Sequence, residues 1–128
     1  MYADTHKHAK EDLDKLWENN PAAAAEIQVL IEELQRDPDA IDKLTTRGDN
    51  NVGGATINVK DWKSMRLKGN VWRFRAIDTP ATGYRVIYIY HWESRHLCFL
   101  AIADKDNFDY DNHSSELNKR IIADVQAF

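Results

Sequence analysis

Apolar residues recur at helical spacing through the first third of the chain. The first stripe spans residues 6–19 and consists of Ala9, Leu13, Leu16 and Trp17. The second spans residues 21–35 and consists of Ile27, Leu30, Ile31 and Leu34, at the i, i+3, i+4, i+7 spacing. Between them, Asn20 and Pro21 form a helix-start signal, an N-cap residue followed by proline at the first helical position. Two helices are therefore predicted, and their short connection indicates an antiparallel hairpin.

The segment after the second helix carries turn and loop signals. Asp37-Pro38 ends the helix, and a brief helical turn is predicted over residues 40–44. Residues 45–54 (TTRGDNNVGG) have turn chemistry throughout, so we predict a loop there. A short extended piece is expected over residues 55–59.

Three strands are predicted in the second half of the chain. Residues 71–77 (VWRFRAI) and 84–92 (YRVIYIYHW) alternate with period two, and residues 97–103 (LCFLAIA) form a short apolar run. Because short links join them, they are expected to form an antiparallel meander. After a polar loop over residues 104–112, a serine cap begins a C-terminal helix.

This order of elements predicts an α+β fold in one domain spanning residues 1–128. We expect the N-terminal helical hairpin to pack on a small antiparallel sheet of three to five strands, with a C-terminal helix and with the helices on one face. A chain of 128 residues is long enough to bury one core of this size.

The composition indicates a cytoplasmic protein. No apolar run approaches the ~20 residues of a membrane span, and the N-terminus lacks the apolar core of a signal peptide. The single cysteine, Cys98, excludes an internal disulfide and suits a reducing compartment. We therefore expect no membrane partner.

Charge is distributed unevenly along the chain. Residues 1–51 hold 12 acidic and 6 basic residues, whereas residues 52–128 hold 9 acidic and 11 basic ones. The stretch 60–85 contains seven basic residues against two acidic ones, in a protein of net charge −4. Residues 52–128 are therefore expected to form the functional surface of the protein.

Within that stretch, alternation separates apolar from basic side chains. Trp72, Phe74 and Ala76 fall on one face of the predicted strand. Arg73 and Arg75 fall on the other, and the next strand offers Arg85 close by. The arrangement fits either a solvated polar face or a site that binds an anion.

These runs resemble the RelE/ParE superfamily of type II toxin–antitoxin toxins, and more narrowly the RelE-type mRNA interferases. The resemblance is carried by WRFRA, TGYRVIY, FLAIADKDNFDYD and the terminal NKRIIADV helix, behind an N-terminal helical hairpin. It covers about residues 6–125. It implies a ribosome-dependent endonuclease in which the ribose 2′-hydroxyl of mRNA attacks the neighbouring phosphate, leaving a cyclic phosphate and a free 5′-hydroxyl.

The resemblance also implies roles for individual residues. Arg73 and Arg75 match the basic pair of the family, Arg85 matches the arginine of the GYR motif, and Lys105 falls where the family has a basic residue or histidine. Tyr110 matches the C-terminal tyrosine. These five residues are the candidate catalytic set, with Arg85 as phosphate clamp because its planar fork suits two phosphate oxygens. The candidates for RNA binding are Lys63, Arg66 and Lys68.

The implied partners are a cognate antitoxin, the ribosome and mRNA, with DNA reached only indirectly through an antitoxin complex. No cofactor and no metal are expected. The chain departs from the family in its net acidic charge, in Asp106 where a leaving-group acid would be expected, and in a polar N-terminus where the family has an edge strand. That strand is expected to be abbreviated or missing.

Other groupings of polar residues are not included in the candidate site. The aspartates of residues 104–111 fail the EF-hand pattern, because the glycine and the final glutamate are absent. His6 and His8 lie two apart at a helix start, a spacing that predicts different faces and solvation. His91 and His113 are further candidates for proton transfer.

Two other functions are compatible with the same residues. One is a ParE-like inhibitor of DNA gyrase, which would have no nuclease chemistry. The other is a non-catalytic interaction module of the same fold, which Asp106 and the acidic balance favour. Fold alone does not decide among them.

Overall fold

The computed structural model describes residues 2–128, which form six strands and four α-helices. In chain order the elements are β1 (Tyr2–Thr5), α1 (Lys7–Asn19), α2 (Pro21–Arg36), α3 (Ala40–Leu44), β2 (Gly48–Val52), β3 (Ala55–Asp61), a 3₁₀ turn (Lys63–Met65), β4 (Val71–Ala76), β5 (Tyr84–His91), β6 (His96–Asp104) and α4 (Glu116–Ala127). None of the helices within residues 2–128 combines the length and the apolar character needed to cross a bilayer.

Helices α2 and α4 begin where capping chemistry predicts. The Asn20 side chain accepts a hydrogen bond from the Ala23 N–H at 3.2 Å, and Pro21 opens α2. Ser115 caps α4 by accepting from the Asn118 N–H at 3.1 Å. Each cap satisfies an N–H that has no partner within its helix. The predicted hairpin, the short third helix and the C-terminal helix are confirmed.

The architecture is α+β, but the predicted small antiparallel sheet of three to five strands was wrong. The sheet has six strands in the order β1-β6-β5-β4-β3-β2, and it is mixed, because β1 runs parallel to β6. The two strands that sequence reasoning did not assign, β1 and β2, form its edges. Both are short and largely polar, so neither shows the apolar alternation of a half-buried strand.

The predicted loop over residues 45–54 is in fact one arm of a hairpin. Val52 pairs with Ala55, so Gly53 and Gly54 alone connect β2 to β3. Gly53 has φ +58, a value that glycine adopts without strain. A Gly-Gly pair between two extended runs indicates a hairpin. The polar residues before this pair favoured a loop instead, and the strand was not predicted.

Helices cover both faces of the sheet, whereas one face was expected. Residues of α1, α2 and α3 pack with Phe74, Tyr88 and Phe99 in one core. Residues of α4 pack on the opposite face, where Ile121 and Val125 meet a second core. The alternation along β4, β5 and β6 therefore supplies two apolar layers, and the α4 layer positions the candidate site.

Tyr88 joins the first core to the helical layer through one buried hydrogen bond. Its side chain is fully buried and its hydroxyl donates to the Leu44 carbonyl at 2.6 Å.

We predict that Tyr88→Phe lowers the free energy of unfolding by about 1–3 kcal/mol, because a buried carbonyl is left unpaired. Tyr84→Phe is the matched control. The Tyr84 hydroxyl is only half-buried and accepts one long bond at 3.4 Å from Asn20. Equal losses for both variants in urea unfolding would contradict this assignment.

Candidate active site

The sheet register brings the basic residues of neighbouring strands to the α4 face. Lys60 of β3 pairs with Arg73 of β4, and Arg73 pairs with Ile87 of β5. Residues directly opposite in a ladder point to the same side, and so do residues two apart on one strand. Arg75 and Arg85 therefore share the face of Arg73, and Ile87 on that face belongs to the core of α4.

A cavity of about 320 Å³ opens beside these strands. Its basic lining residues are Lys60, Lys63, Arg73 and Arg85. Tyr110, Ser64 and the carboxylates Asp61 and Asp111 complete most of the wall. Four cations against two carboxylates make this a positive cavity in a protein of net negative charge, and such a cavity attracts anions.

The two arginines of the cavity are held by neutral groups. Arg73 Nη1 donates to the Asn58 carbonyl at 3.0 Å and to Asn58 Oδ1 at 2.9 Å. Arg85 Nη1 donates to the carbonyls of Thr82 and Tyr84, at 3.0 and 3.2 Å. Within residues 2–128, neither arginine forms an ion pair with a carboxylate. Both also interact with the Tyr110 side chain. A bound anion would therefore compete with neutral groups and not with a carboxylate.

The arginines act on one another electrostatically. Burial lowers the pKa of Arg73, and the positive charges of Arg85 and Arg75 lower it further, while Tyr110 acts in the opposite direction. A guanidinium stays charged in proteins despite such shifts. The lowered pKa of Arg73 is thus due first to burial and then to the neighbouring positive charges.

Tyr110 presents a shielded hydroxyl to the same cations. The hydroxyl oxygen is buried and has no hydrogen bond of acceptable geometry with the part of the chain described. Burial raises the pKa of Tyr110, although Arg73 and Arg85 are close enough to oppose that rise. The phenol is therefore protonated at neutral pH, and its hydroxyl is buried beside the two guanidinium groups.

The loop that carries Tyr110 is fixed to the 3₁₀ turn by its backbone. The Tyr110 carbonyl accepts from Trp62 Nε1 at 3.0 Å and from Ser64 Oγ at 3.2 Å. The Trp62 ring packs edge-on against Phe108 and Tyr110, with ring centroids 5.2 and 5.6 Å apart. Ser64 Oγ also lies 3.0 Å from His113 Nε2, which puts an imidazole one hydrogen bond from the cavity.

Asn118 fixes the same loop from the α4 side. Its side chain is fully buried, and its Nδ2 donates to the carbonyls of Asp109 and Asn112 at 2.7 and 2.8 Å. The first turn of α4 thereby sets the course of the chain on both sides of Tyr110. No local sequence signal identifies this role, because an asparagine near a helix start is common without one.

The structure brings together part of the predicted residue set. Arg73, Arg85, Tyr110 and Lys63 line the cavity. Arg75 lies on the same face without lining it, and Lys105 is exposed in the turn that follows β6.

The other two predicted RNA-binding residues lie elsewhere. Arg66 and Lys68 line a separate groove of about 590 Å³, and Arg66 lies 3.6 Å from Asp61.

Sequence reasoning missed Lys60, Ser64 and Asn118. The Lys60–Arg73 pairing could have been found by extending β3 to residue 60.

Comparison with known proteins does not identify the chain. No family model matches it, and neither a curated protein nor a solved structure is similar to it.

The two bonds from Asn118 give a direct test of how Tyr110 is positioned. We predict that Asn118→Ala lowers the free energy of unfolding by about 2–3 kcal/mol, because it removes two buried hydrogen bonds. We also expect faster limited proteolysis within residues 105–115. Asn107→Ala is the control, since Asn107 is exposed in the same loop and its side chain makes none of the hydrogen bonds described. Unchanged proteolysis in Asn118→Ala would contradict the positioning role.

Proposed function

We propose that this chain is an endoribonuclease that cleaves mRNA through attack of a ribose 2′-hydroxyl on the adjacent phosphate, and that it acts as a toxin on translating ribosomes. One observation carries the proposal. Two guanidinium groups that form no ion pair with a carboxylate in the described part of the chain line a single positive cavity together with Tyr110, whose hydroxyl is buried beside them. Such a set matches a phosphodiester, which has two non-bridging oxygens and a leaving oxygen.

The chemistry assigns a task to each group. The 2′-oxygen forms a bond to phosphorus while the bond from phosphorus to the 5′-oxygen breaks, giving a 2′,3′-cyclic phosphate and a 5′-hydroxyl. Arg73 and Arg85 hold the non-bridging oxygens and stabilise the charge that accumulates on them in the transition state. Lys60 and Lys63 at the rim attract the neighbouring phosphates of the strand.

Proton transfer requires a donor for the leaving oxygen and an acceptor for the 2′-proton. Tyr110 serves as the donor in this scheme, because its raised pKa keeps the phenol protonated. The same raised pKa argues against Tyr110 as the base. An imidazole is the side chain that most often takes such a proton, and His113 contacts the cavity through Ser64.

Two parts of the proposal have different support. Recognition of a phosphodiester is supported by the charges and contacts of the cavity. The ribosome as the site of action and an antitoxin as the partner are supported only by the resemblance to RelE-type toxins. The experiments should therefore score cleavage of ribosome-bound mRNA and of free RNA separately.

The test is cleavage of mRNA on programmed ribosomes by purified protein. We predict that Arg85→Ala lowers the rate at least about 100-fold, because a group that binds the transition-state charge is lost. For Tyr110→Phe a loss of about 10²–10⁴-fold is expected, as for removal of a general acid. Arg47→Ala is the control, because Arg47 is exposed and lies outside the cavity.

Two outcomes would overturn the proposal. One is the absence of cleavage by the wild-type chain on ribosomes and on free RNA. The other is equal activity in Arg85→Ala and Arg47→Ala. Stalled DNA cleavage complexes in a gyrase supercoiling assay would instead support the inhibitor alternative.

A further inference from the structure

Three side chains of the types that ligate metals lie close together where α1 begins and α4 ends. His8 Nδ1 lies 2.7 Å from Asp124 Oδ2, and His6 Nε2 lies 3.6 Å from Asp124 Oδ1. One ligand atom from each of the three residues falls within 4.8 Å of the others. Both histidines are half-buried and Asp124 is buried.

The expectation that His6 and His8 face different directions was wrong, for a local reason. His6 is the N-cap of α1, with φ −62 and ψ 148, so it lies outside the helix and helical spacing does not apply to it. The rings approach to 4.8 Å between centroids, and both reach Asp124 across the interface with α4.

We propose that His6, His8 and Asp124 bind a divalent transition metal, with Zn²⁺ as the best fit. Two imidazole nitrogens and one carboxylate oxygen are a usual three-residue ligand set for zinc, with a fourth position open. Bonds of about 2.0–2.1 Å in tetrahedral geometry require ligand atoms roughly 3.3 Å apart. The observed separations are 2.7 Å to Asp124 Oδ2 and 3.6 Å to Asp124 Oδ1. With one atom taken from each residue, all three lie within 4.8 Å of one another, so rotation of the side chains is required to reach the tetrahedral spacing.

The charge around Asp124 supports a cation. The nearest guanidinium, on Arg120, is committed to another carboxylate, since it forms two bonds to Asp12 at 2.9 and 2.7 Å. Among the contacts within residues 2–128, Asp124 is therefore paired with the two imidazoles alone. A buried carboxylate is stable only when it is paired or bound to a metal.

Cys98 provides a second observation at the same place. The thiol is buried on the α4 face of β6, one strand from Asp4, with which it is paired in register. Burial raises the pKa of Cys98 to about 11, and the negative charges of Asp4 and Asp124 contribute to the rise. The thiol is thus within electrostatic range of Asp124, although it is not among the three side chains whose ligand atoms lie within 4.8 Å of one another. A bound cation would reverse the effect of the carboxylates.

Metal binding has a defined local consequence. The His8 N–H donates to His6 Nδ1 at 3.1 Å and forms the cap of α1. Coordination through His6 Nε2 moves the ring proton to Nδ1, so this bond is lost. The bond that is lost is one cap hydrogen bond, whereas metal binding adds coordination by three side chains. Metal binding is therefore expected to stabilise the fold despite the loss of the cap hydrogen bond of α1.

The test uses the full chain, stripped of metal by chelator and then titrated with Zn²⁺ alone. We expect one ion per chain and a rise in Tm of about 5–10 °C at a free zinc concentration 100-fold above Kd. His8→Ala and Asp124→Asn should each weaken binding at least about tenfold, whereas His91→Ala, at the exposed end of β5, should not. Circular dichroism verifies that each variant folds.

Cobalt substitution distinguishes the ligand sets. Intense visible bands would indicate tetrahedral Co²⁺, and a near-ultraviolet thiolate band that Cys98→Ser removes would identify the fourth ligand. Absence of that band would leave the three-residue site intact, with solvent in the open position. The proposal is overturned if zinc raises no Tm in the wild-type chain, or if His8→Ala and His91→Ala bind it equally well. Neither result bears on RNA cleavage.

Discussion

The repulsion between two guanidinium groups in one cavity is the constraint on which the account depends. Arg73 and Arg85 approach each other from neighbouring strands, and burial together with that proximity lowers the pKa of Arg73. The protein holds both with neutral acceptors and gives neither a carboxylate partner within residues 2–128. Like charges kept together in this way cost stability, and an anion between them offsets the cost.

The rest of the fold holds that arrangement in place before any ligand arrives. The antiparallel register of β3, β4 and β5 fixes which side chains share the face, since a slip by one residue would turn every arginine to the opposite core. Trp62, Ser64 and Asn118 fix the backbone on either side of Tyr110. A group that is already oriented does not have to be ordered during the reaction, which is how such sites lower a barrier.

Much of the scaffold could be predicted from sequence because its signals are local. Asn20-Pro21 and Ser115 specify helix starts through hydrogen bonds within three residues, and the alternation around Phe74 specifies a strand. The edge strands could not be predicted in this way. Both are polar, and the partner of β1 is distant in sequence, as with Ala3 and Leu97. The partner of β2 is its neighbour β3, so there only the polar composition hid the strand.

The candidate site was predictable only where strand periodicity determined it. Alternation put Arg73 and Arg85 on one face, but it also included Arg75, which does not line the cavity. The position of Tyr110 depends on a loop whose course is set by Asn118 and Trp62, and these contacts are not visible in sequence. Lys105 lies in the turn directly after β6, where its N–H donates to the Gly83 carbonyl. The His6–His8–Asp124 group was missed because helical spacing was applied to an N-cap residue.

The central claim is that Arg73 and Arg85 grip one phosphodiester together. The most direct measurement follows the arginine Nε–H resonances by NMR while a 2′-O-methyl dinucleotide, which binds but cannot react, is titrated in. The account predicts that the Arg73 and Arg85 signals shift together and saturate at one ligand per chain, while those of exposed Arg47 and Arg95 stay in place. Shifts spread evenly over all four arginines, without saturation, would contradict it.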